Sequence, residues 1–478
     1  MPTTQPLLGS QASDERSTAA IAAMEPGDSP HAITFPLDPI FDVDEATLVA
    51  LPAKGIEQSS AQAGRFSVGR ALKYSAASLG AQAVFTLFNM GMPRYLEGYS
   101  TSPWLIGLLA NERSLVGAVI QPIVGRLSDR THTRFGRRRP FFLVGAPLTC
   151  LSLLALGLHP PFWVMLGVMS VAAFFLSIAM DPYLAMMADL FPAGQRGRVG
   201  GFAGMASALG TVVFLLFAAL FWEHAEFTVF ALVALVLAAC FAVTFFTLKE
   251  PVRARTPIPN SHLVDNPGVI SRVRMALPSL KEHREARKYI AAVLLFWGGG
   301  GGVAPFITLF AKHALGANEG SAFLLPVGYV ISSLIFVLPA GYLADHIGKK
   351  RVLTIGLGLY ALGALLGSQA TAIEQGVGAM ALLGIASACT SVLIPLLTDL
   401  VPAEKYAEVV GIASALWSFA QPVGSVVAGL VVNATSASLG LGTAYRLVFL
   451  LAGVMIVASV IMLQRVRPEN AARHMNAA

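Results

Sequence analysis

Twelve apolar runs, each long enough to cross a bilayer, constrain this chain more than any other feature. They cover approximately 72–93, 104–124, 141–158, 162–188, 199–221, 227–248, 289–310, 322–343, 352–370, 376–397, 409–432 and 445–463. About 20 apolar residues span the hydrocarbon core as a helix. In lipid every backbone N–H and C=O must be satisfied internally, so runs of this length read as helices, and the Pro and Gly within them are tolerated. Charged residues make up 13% of the chain and hydrophobic residues 55%, against about 25% charged in soluble domains. Such an apolar surface must face lipid. The expected fold class is an all-α membrane protein: twelve transmembrane helices in two six-helix bundles.

The net charge of +6 would suggest nucleic acid in a soluble protein, but here the cations lie in loops, and no nucleic-acid partner is expected. Arg126, Arg130, Arg134, Arg137, Arg138 and Arg139 follow run two, Arg196 and Arg198 follow run four, and Lys349, Lys350 and Arg351 follow run eight. The central loop carries Arg253, Arg255, Arg272, Arg274, Lys281, Arg284, Arg287 and Lys288, whereas the opposite loops hold Arg94 and Lys312. The positive-inside rule places both termini and the central loop in the cytoplasm, as expected of a multi-pass protein of the cell (inner) membrane. The domains expected are a disordered tail over 1–70, an N-terminal bundle over 71–249, a linker over 250–288, a C-terminal bundle over 289–467 and a short tail over 468–478. The first tail is polar, without the basic and apolar regions of a signal peptide. Its cluster Asp38, Asp42, Asp44 and Glu45 reads either as a solvated stretch or as a clip for the basic loops.

The halves repeat. Gly125-Arg126-Leu127-Ser128-Asp129 follows run two, and Gly341-Tyr342-Leu343-Ala344-Asp345 follows run eight. Asp189-Leu190-Phe191-Pro192 ends run four and Asp399-Leu400-Val401-Pro402 ends run ten, at nearly the same offset. Parallel repeats about an axis along the membrane normal suit a transporter whose site lies between its halves.

Gly-x-Leu-x-Asp followed by cations, after helices two and eight, resembles the signature loop of the major facilitator superfamily. The longer stretch from Gln121-Pro122 through Ser128-Asp129-Arg130 to Arg134-Phe135-Gly136-Arg137-Arg138-Arg139-Pro140 resembles the sucrose-type symporters of the glycoside–cation group. Pro182-x-x-Ala185-x-x-Ala188-Asp189 is similar to the end of their fourth helix. Leu184 stands where that group usually has Arg, Asp181 is displaced from its usual acid, and Asn111-Glu112-Arg113 is a departure from it. The resemblance implies the major facilitator fold and charge pairs at the cytoplasmic helix ends, formed by Asp129, Arg137, Asp189, Asp345 and Asp399, that gate the pathway.

Charges within apolar runs need a reason, because each costs at least about 2.5–3.5 kcal/mol at the bilayer centre. Glu112, Arg113 and Asp181 are the candidates for proton and substrate coupling. Neighbours on a helix point about 100° apart, so Arg113 needs an acid from another helix. Spacing from the helix ends nominates Asp181 and leaves Glu112 to exchange a proton; alternatively Arg113 and Asp181 are a buried structural pair and Glu112 is helix glue. Asn89 and Gln82 share a face of segment one, and with Trp297 they are candidates for substrate binding, or else they pack helices; Asn111 is a further candidate for substrate binding. Five consecutive glycines, Gly298 to Gly302, suggest a hinge or a close helix contact. The three cysteines, Cys150, Cys240 and Cys389, have no metal-ligand spacing, no phosphate-loop pattern follows the glycines, and neither metal, cofactor nor enzyme activity is expected.

The function expected is secondary active transport driven by an ion gradient or the solute's own gradient. Proton-coupled symport of a sugar or glycoside leads, with the lipid bilayer, a small solute and a proton or other cation as partners. Proton-antiport export of drugs or metabolites is an alternative, though Gly200 to Gly210 lacks the Pro usual in the fifth helix of that class. A transporter-shaped accessory protein for pigment or light-harvesting assembly is another.

Overall fold

The computed structural model describes residues 66–248, 283–402 and 405–467, apart from 101, 113–115, 118, 119, 121, 122, 125, 126, 129, 130, 132, 134 and 135. The acidic cluster of the first tail, the body of the central linker, the last tail, Arg113 and Asp129 lie outside the described residues. Helix α1 (Val68–Thr86) passes through a π turn (Leu87–Gly91) into α2 (Met92–Glu97), and α3 (Pro103–Ala110) begins the second segment. The N-terminal half continues with α4 (Arg139–Gly157), α5 (Phe162–Leu190), α6 (Ala193–Phe221) and α7 (Glu226–Thr247). The C-terminal half comprises α8 (Arg284–Val303), a 3-10 turn (Ala304–Phe306), α9 (Ile307–Leu315), a 3-10 turn (Ser321–Leu324) and α10 (Leu325–Ile347). It ends with α11 (Lys349–Gln369), α12 (Ile373–Ala388), a 3-10 turn (Cys389–Val392), α13 (Leu393–Thr398), α14 (Tyr406–Leu439) and α15 (Leu441–Gln464). Among the described residues ten helices are long and apolar enough to cross a membrane.

Two helices start earlier than their apolar runs. The Ser67 side chain accepts from the backbone N–H of Arg70 at 3.3 Å, so α1 begins inside the stretch assigned to the tail. Helix α8 begins at Arg284, with Glu285 in its first turn, where an acid is favoured by the helix dipole. A polar first turn is invisible to hydropathy because it lies in the interface rather than the hydrocarbon.

Helix packing repeats between the halves. α1 packs on α6 and α7, and α8 packs on α14 and α15; α4 packs on α5 and α7, and α11 on α12 and α15. Individual hydrogen bonds repeat as well. The Tyr74 hydroxyl donates to the Tyr183 carbonyl at 3.2 Å and the Tyr289 hydroxyl to the Leu393 carbonyl at 2.7 Å. The two donors, like the two acceptors, are separated by nearly the offset of the repeated sequence motifs. Thr244 Oγ1 accepts from the Ala77 N–H at 3.2 Å, and at the equivalent place in the second half Ser459 Oγ donates to the Ala292 carbonyl at 2.6 Å. In lipid these polar groups must find partners on neighbouring helices, and such bonds fix helix rotation.

The five-glycine run does not open α8, which stays helical through Val303. Its glycines admit the neighbouring backbones instead. A Cβ on Gly301 would lie 2.5 Å from the Gln421 Cα, and one on Gly424 would collide with the Gly298 carbonyl oxygen. The break comes just beyond, at Ala304–Phe306, and occupies the place that the π turn Leu87–Gly91 has in the first half.

Candidate functional site

The two helix breaks touch across the molecule, and Thr308 Oγ1 donates to the Met90 carbonyl at 3.1 Å. Around them the halves are joined at the end opposite the Arg-rich loops. α3 packs against α14, where a Cβ on Gly107 would lie 2.5 Å from the Ser425 carbonyl oxygen; α6 meets the 321–324 turn, where the Phe323 ring lies tilted against Trp222, centroids 4.8 Å apart. A charge cluster spans the same seam. Glu97 pairs with Arg94 at 2.5 Å on its own helix, with Lys312 at 3.3 Å and with His313, both at the end of α9. Glu319 closes the cluster by pairing with Arg94 and with Lys312. Burial alone would raise the Glu97 carboxyl, but the hydrogen bond and charge of His313, then Arg94 and Lys312, outweigh it and hold it at about 2. Sequence reading used Arg94 and Lys312 only to set topology; their signal was charge retained on loops that otherwise have little.

At the Arg-rich end two of the predicted gate acids, Asp189 and Asp399, are paired within their own halves. Asp189 accepts from Arg138 Nε at 2.6 Å and from Arg137 Nη2 at 3.2 Å, and Asp399 accepts from Lys349 at 2.8 Å. Asp345 is exposed. Toward this end one side of α6 is bare: Gly194, Gly197, Gly200, Gly201 and Gly204 have no heavy atom within 4 Å of where a Cβ would stand.

Glu112 is half-buried, and one of its oxygens accepts from Ser170 Oγ of α5 while the other has no hydrogen-bond partner. Ser170 is thus level with Glu112, and Asp181 lies eleven residues further toward the Arg-rich end of α5, about 16 Å at 1.5 Å per residue. Segment spacing placed Asp181 at the depth of Glu112 and Arg113, because it took the second segment to end at 124, whereas Leu127 and Ser128 are still helical.

Asn111 does not stand in an open wall. It is 1% exposed, and its Nδ2 donates to Ser425 Oγ at 2.9 Å, while Ser425 donates to the Gly301 carbonyl at 2.7 Å. This chain ties the second, seventh and eleventh segments together, and the Asn111 Oδ1 is left without a partner. Asn89 lies in the π turn, where its Nδ2 donates to the Phe85 carbonyl at 2.8 Å; π turns inside helices recur at functional sites. Gln82 and Trp297 are both half-buried and sit at equivalent positions of the first and seventh segments. The Trp297 Nε1 is buried without a partner. The structure thus brings Gln82, Asn89 and Trp297 onto equivalent helices and assigns Asn111 to the seam.

Residues 73–463 match the family model described as MFS/sugar transport protein. The chain belongs to the major facilitator superfamily. The all-α arrangement above is the facilitator fold. Curated relatives include the multidrug resistance protein MdtG of Salmonella arizonae, 24% identical over 287 residues, which cover 58% of this chain and 66% of that protein. MdtG of Salmonella choleraesuis is 24% identical over 284 residues with the same coverage; the chain spans just under two thirds of the length of these relatives. Among solved facilitator structures, the nucleoside transporter NupG superposes with a TM-score of 0.63 at 12% identity, covering 82% of this chain and 98% of that one. A D-xylose–proton symporter gives 0.62 at 18% identity, covering 84% and 98%. An inward-facing, unoccupied bacterial homologue of the lysosomal transporter Spinster gives 0.62 at 14%, covering 82% and 94%.

Proposed function

We propose that this facilitator is a proton-coupled symporter of a sugar or glycoside. The observation that carries the reading is Glu112: a membrane-embedded carboxyl held by one hydroxyl, with its second oxygen unpartnered, in a chain whose family match is to sugar transport proteins. A carboxyl so placed can take and release a proton as its surroundings change. Coupling requires that solute and proton each alter the other's affinity by the same factor. Gln82, Asn89 and Trp297 supply amide and ring surfaces suited to a polyhydroxylated solute, and Arg113 and Asp181 complete the set of embedded charges.

The bundles 71–249 and 289–467 rock about the solute. With the Arg-rich end cytoplasmic, as the positive-inside rule has it, and the protein in the inner membrane, the conformation described is inward-facing. Arg94, Glu97, Lys312, His313 and Glu319 form its outer latch. The inner gate uses Asp129, Arg137, Asp189, Asp345 and Asp399, which re-pair across the halves when the protein opens outward.

The test is uptake of radiolabelled sugar into proteoliposomes with and without an imposed pH gradient. Glu112→Gln imitates the protonated form without allowing release: solute exchange persists and pH-driven accumulation disappears. Accumulation against a gradient by that variant would exclude Glu112 and pass the role to Asp181. Likeness to MdtG favours a second reading, proton-antiport export of drugs; the same vesicles then expel solute as the proton gradient runs in the opposite sense.

A further inference from the structure

A polar cavity of about 430 Å³ lies at the Arg-rich end of the C-terminal half, between the start of α8 and the chain leaving α15. Arg284, Glu285, Lys288, Gln464, Arg465 and Arg467 line it. Four cations therefore face one carboxylate, and that carboxylate is occupied. Glu285 accepts from Lys288 Nζ at 2.6 Å and from the backbone N–H of Arg467 at 2.7 Å. Among the described residues the guanidinium groups of Arg284, Arg465 and Arg467 carry no ion pair.

The cavity is built rather than incidental. Lys288 also donates to the Arg465 carbonyl at 3.4 Å, and Lys350 of α11 donates to the carbonyls of Gln464 at 3.2 Å and Val466 at 2.7 Å. Val466 is fully buried. The turn after α15 is thus pinned from two helices, α8 and α11, which holds the backbone of Arg465 and Arg467 beside Arg284. The N-terminus of α8, a helix of 20 residues, adds positive potential and unsatisfied N–H groups to the same space. The depth is equally specific. Lys288 immediately precedes the apolar run that starts at Tyr289, and α15 ends at Gln464, so the cavity sits where the hydrocarbon gives way to the headgroup layer.

We propose that this cavity binds the phosphate of an anionic phospholipid headgroup. Three guanidinium groups that form no salt bridge among the described residues match the planar, multi-oxygen geometry of a phosphate. The volume falls within the range of about 300–1,000 Å³ usual for small-molecule sites, and the cavity opens at the depth where headgroups lie. Basic pockets between helices at this interface recognise anionic headgroups by the same physics. A lipid bound here bridges the start of α8 and the turn after α15, within the C-terminal bundle.

The experiment uses the full-length protein, delipidated in a non-ionic detergent, with phosphatidylglycerol, phosphatidylcholine or inorganic phosphate added separately. Thermal midpoint and lipid retained in native mass spectrometry are read for the wild type and for the double variant Arg465→Gln, Arg467→Gln. Phosphatidylglycerol stabilises the wild type and stays bound, whereas phosphatidylcholine does not. Affinity falls about 5-fold per arginine, or about 30-fold in the double variant, at about 1 kcal/mol per interfacial cation. Both side chains are exposed beyond the helix end, so the variant keeps the lipid-free midpoint of the wild type. A control that removes two cations elsewhere at the same end, Lys73→Gln with Arg198→Gln, retains the lipid. Equal binding of both lipids, equal loss in the control, or undiminished binding in the double variant overturns the proposal. Stabilisation by inorganic phosphate without any by phosphatidylglycerol overturns the assignment to lipid.

Discussion

Replacing Glu97 with Gln removes the acid that, among the described residues, touches Arg94, Lys312 and His313 together, and it leaves Glu319 against Arg94 and Lys312. The carboxyl sits at about 2 instead of its ordinary 4.5, which corresponds to about 3 kcal/mol of interaction favouring its charged form. Its side chain is 22% exposed, so solvent screening reduces the net effect to about 2 kcal/mol. Part of the pairing, that with Arg94, is on its own helix and survives opening, so the screened figure is the ceiling for the outer latch. The closed–open equilibrium at the outer end therefore shifts toward open by up to about 30-fold. The sign with pH follows from the depression: the contribution is complete above the ordinary carboxyl range and is lost only as pH falls through about 2, so the Glu97 charge is constant at physiological pH. The assay introduces Thr308→Cys, a buried position at the seam, into a protein lacking Cys150, Cys240 and Cys389. Labelling by an impermeant maleimide in intact cells is timed with and without Glu97→Gln. A rate faster by about 10- to 30-fold is expected, with Glu97→Asp intermediate. An unchanged rate would refute the latch and leave the cluster as surface pairing, which is often worth almost nothing.

Three further outcomes are expected. Asp189→Asn removes the carboxylate that Arg137 and Arg138 share, so under the proposed gating role turnover drops several-fold with a smaller loss of solute affinity; a collapse of affinity at normal turnover contradicts gating. Gly424→Ala forces a Cβ onto the Gly298 carbonyl and costs about 1–3 kcal/mol, read as a lower thermal midpoint and lower yield, while Gly411→Ala, with open space at its Cβ, leaves both unchanged. Cysteines placed at Ser128 or in the central loop stay unlabelled by impermeant reagents in intact cells, and ready labelling there reverses the orientation.

Hydropathy, loop charge and the two repeated motifs determined the class of fold from sequence alone. Lipid requires each apolar run to close its own hydrogen bonds, so run length already implies a helix, and two motifs repeated at nearly one offset already imply two related bundles. The same logic missed the polar first turns of α1 and α8, which lie at the interface. It also named Asn111 as a candidate for substrate binding and left the glycine run open between a hinge and a close helix contact. Which face of a helix meets which neighbour is a matter of rotation and depth, and these are decided by interhelical contacts far apart in the chain. Ser425 on Asn111, Gly298 against Gly424, and Glu97 against Lys312 and His313 are such contacts. Only the packed molecule shows that Asn111 is seam, that the glycines are contact surface, that Ser170 rather than Asp181 is level with Glu112, and that scattered outer charges form one cluster. Pairing energy depends on distance and burial, and a linear sequence carries neither.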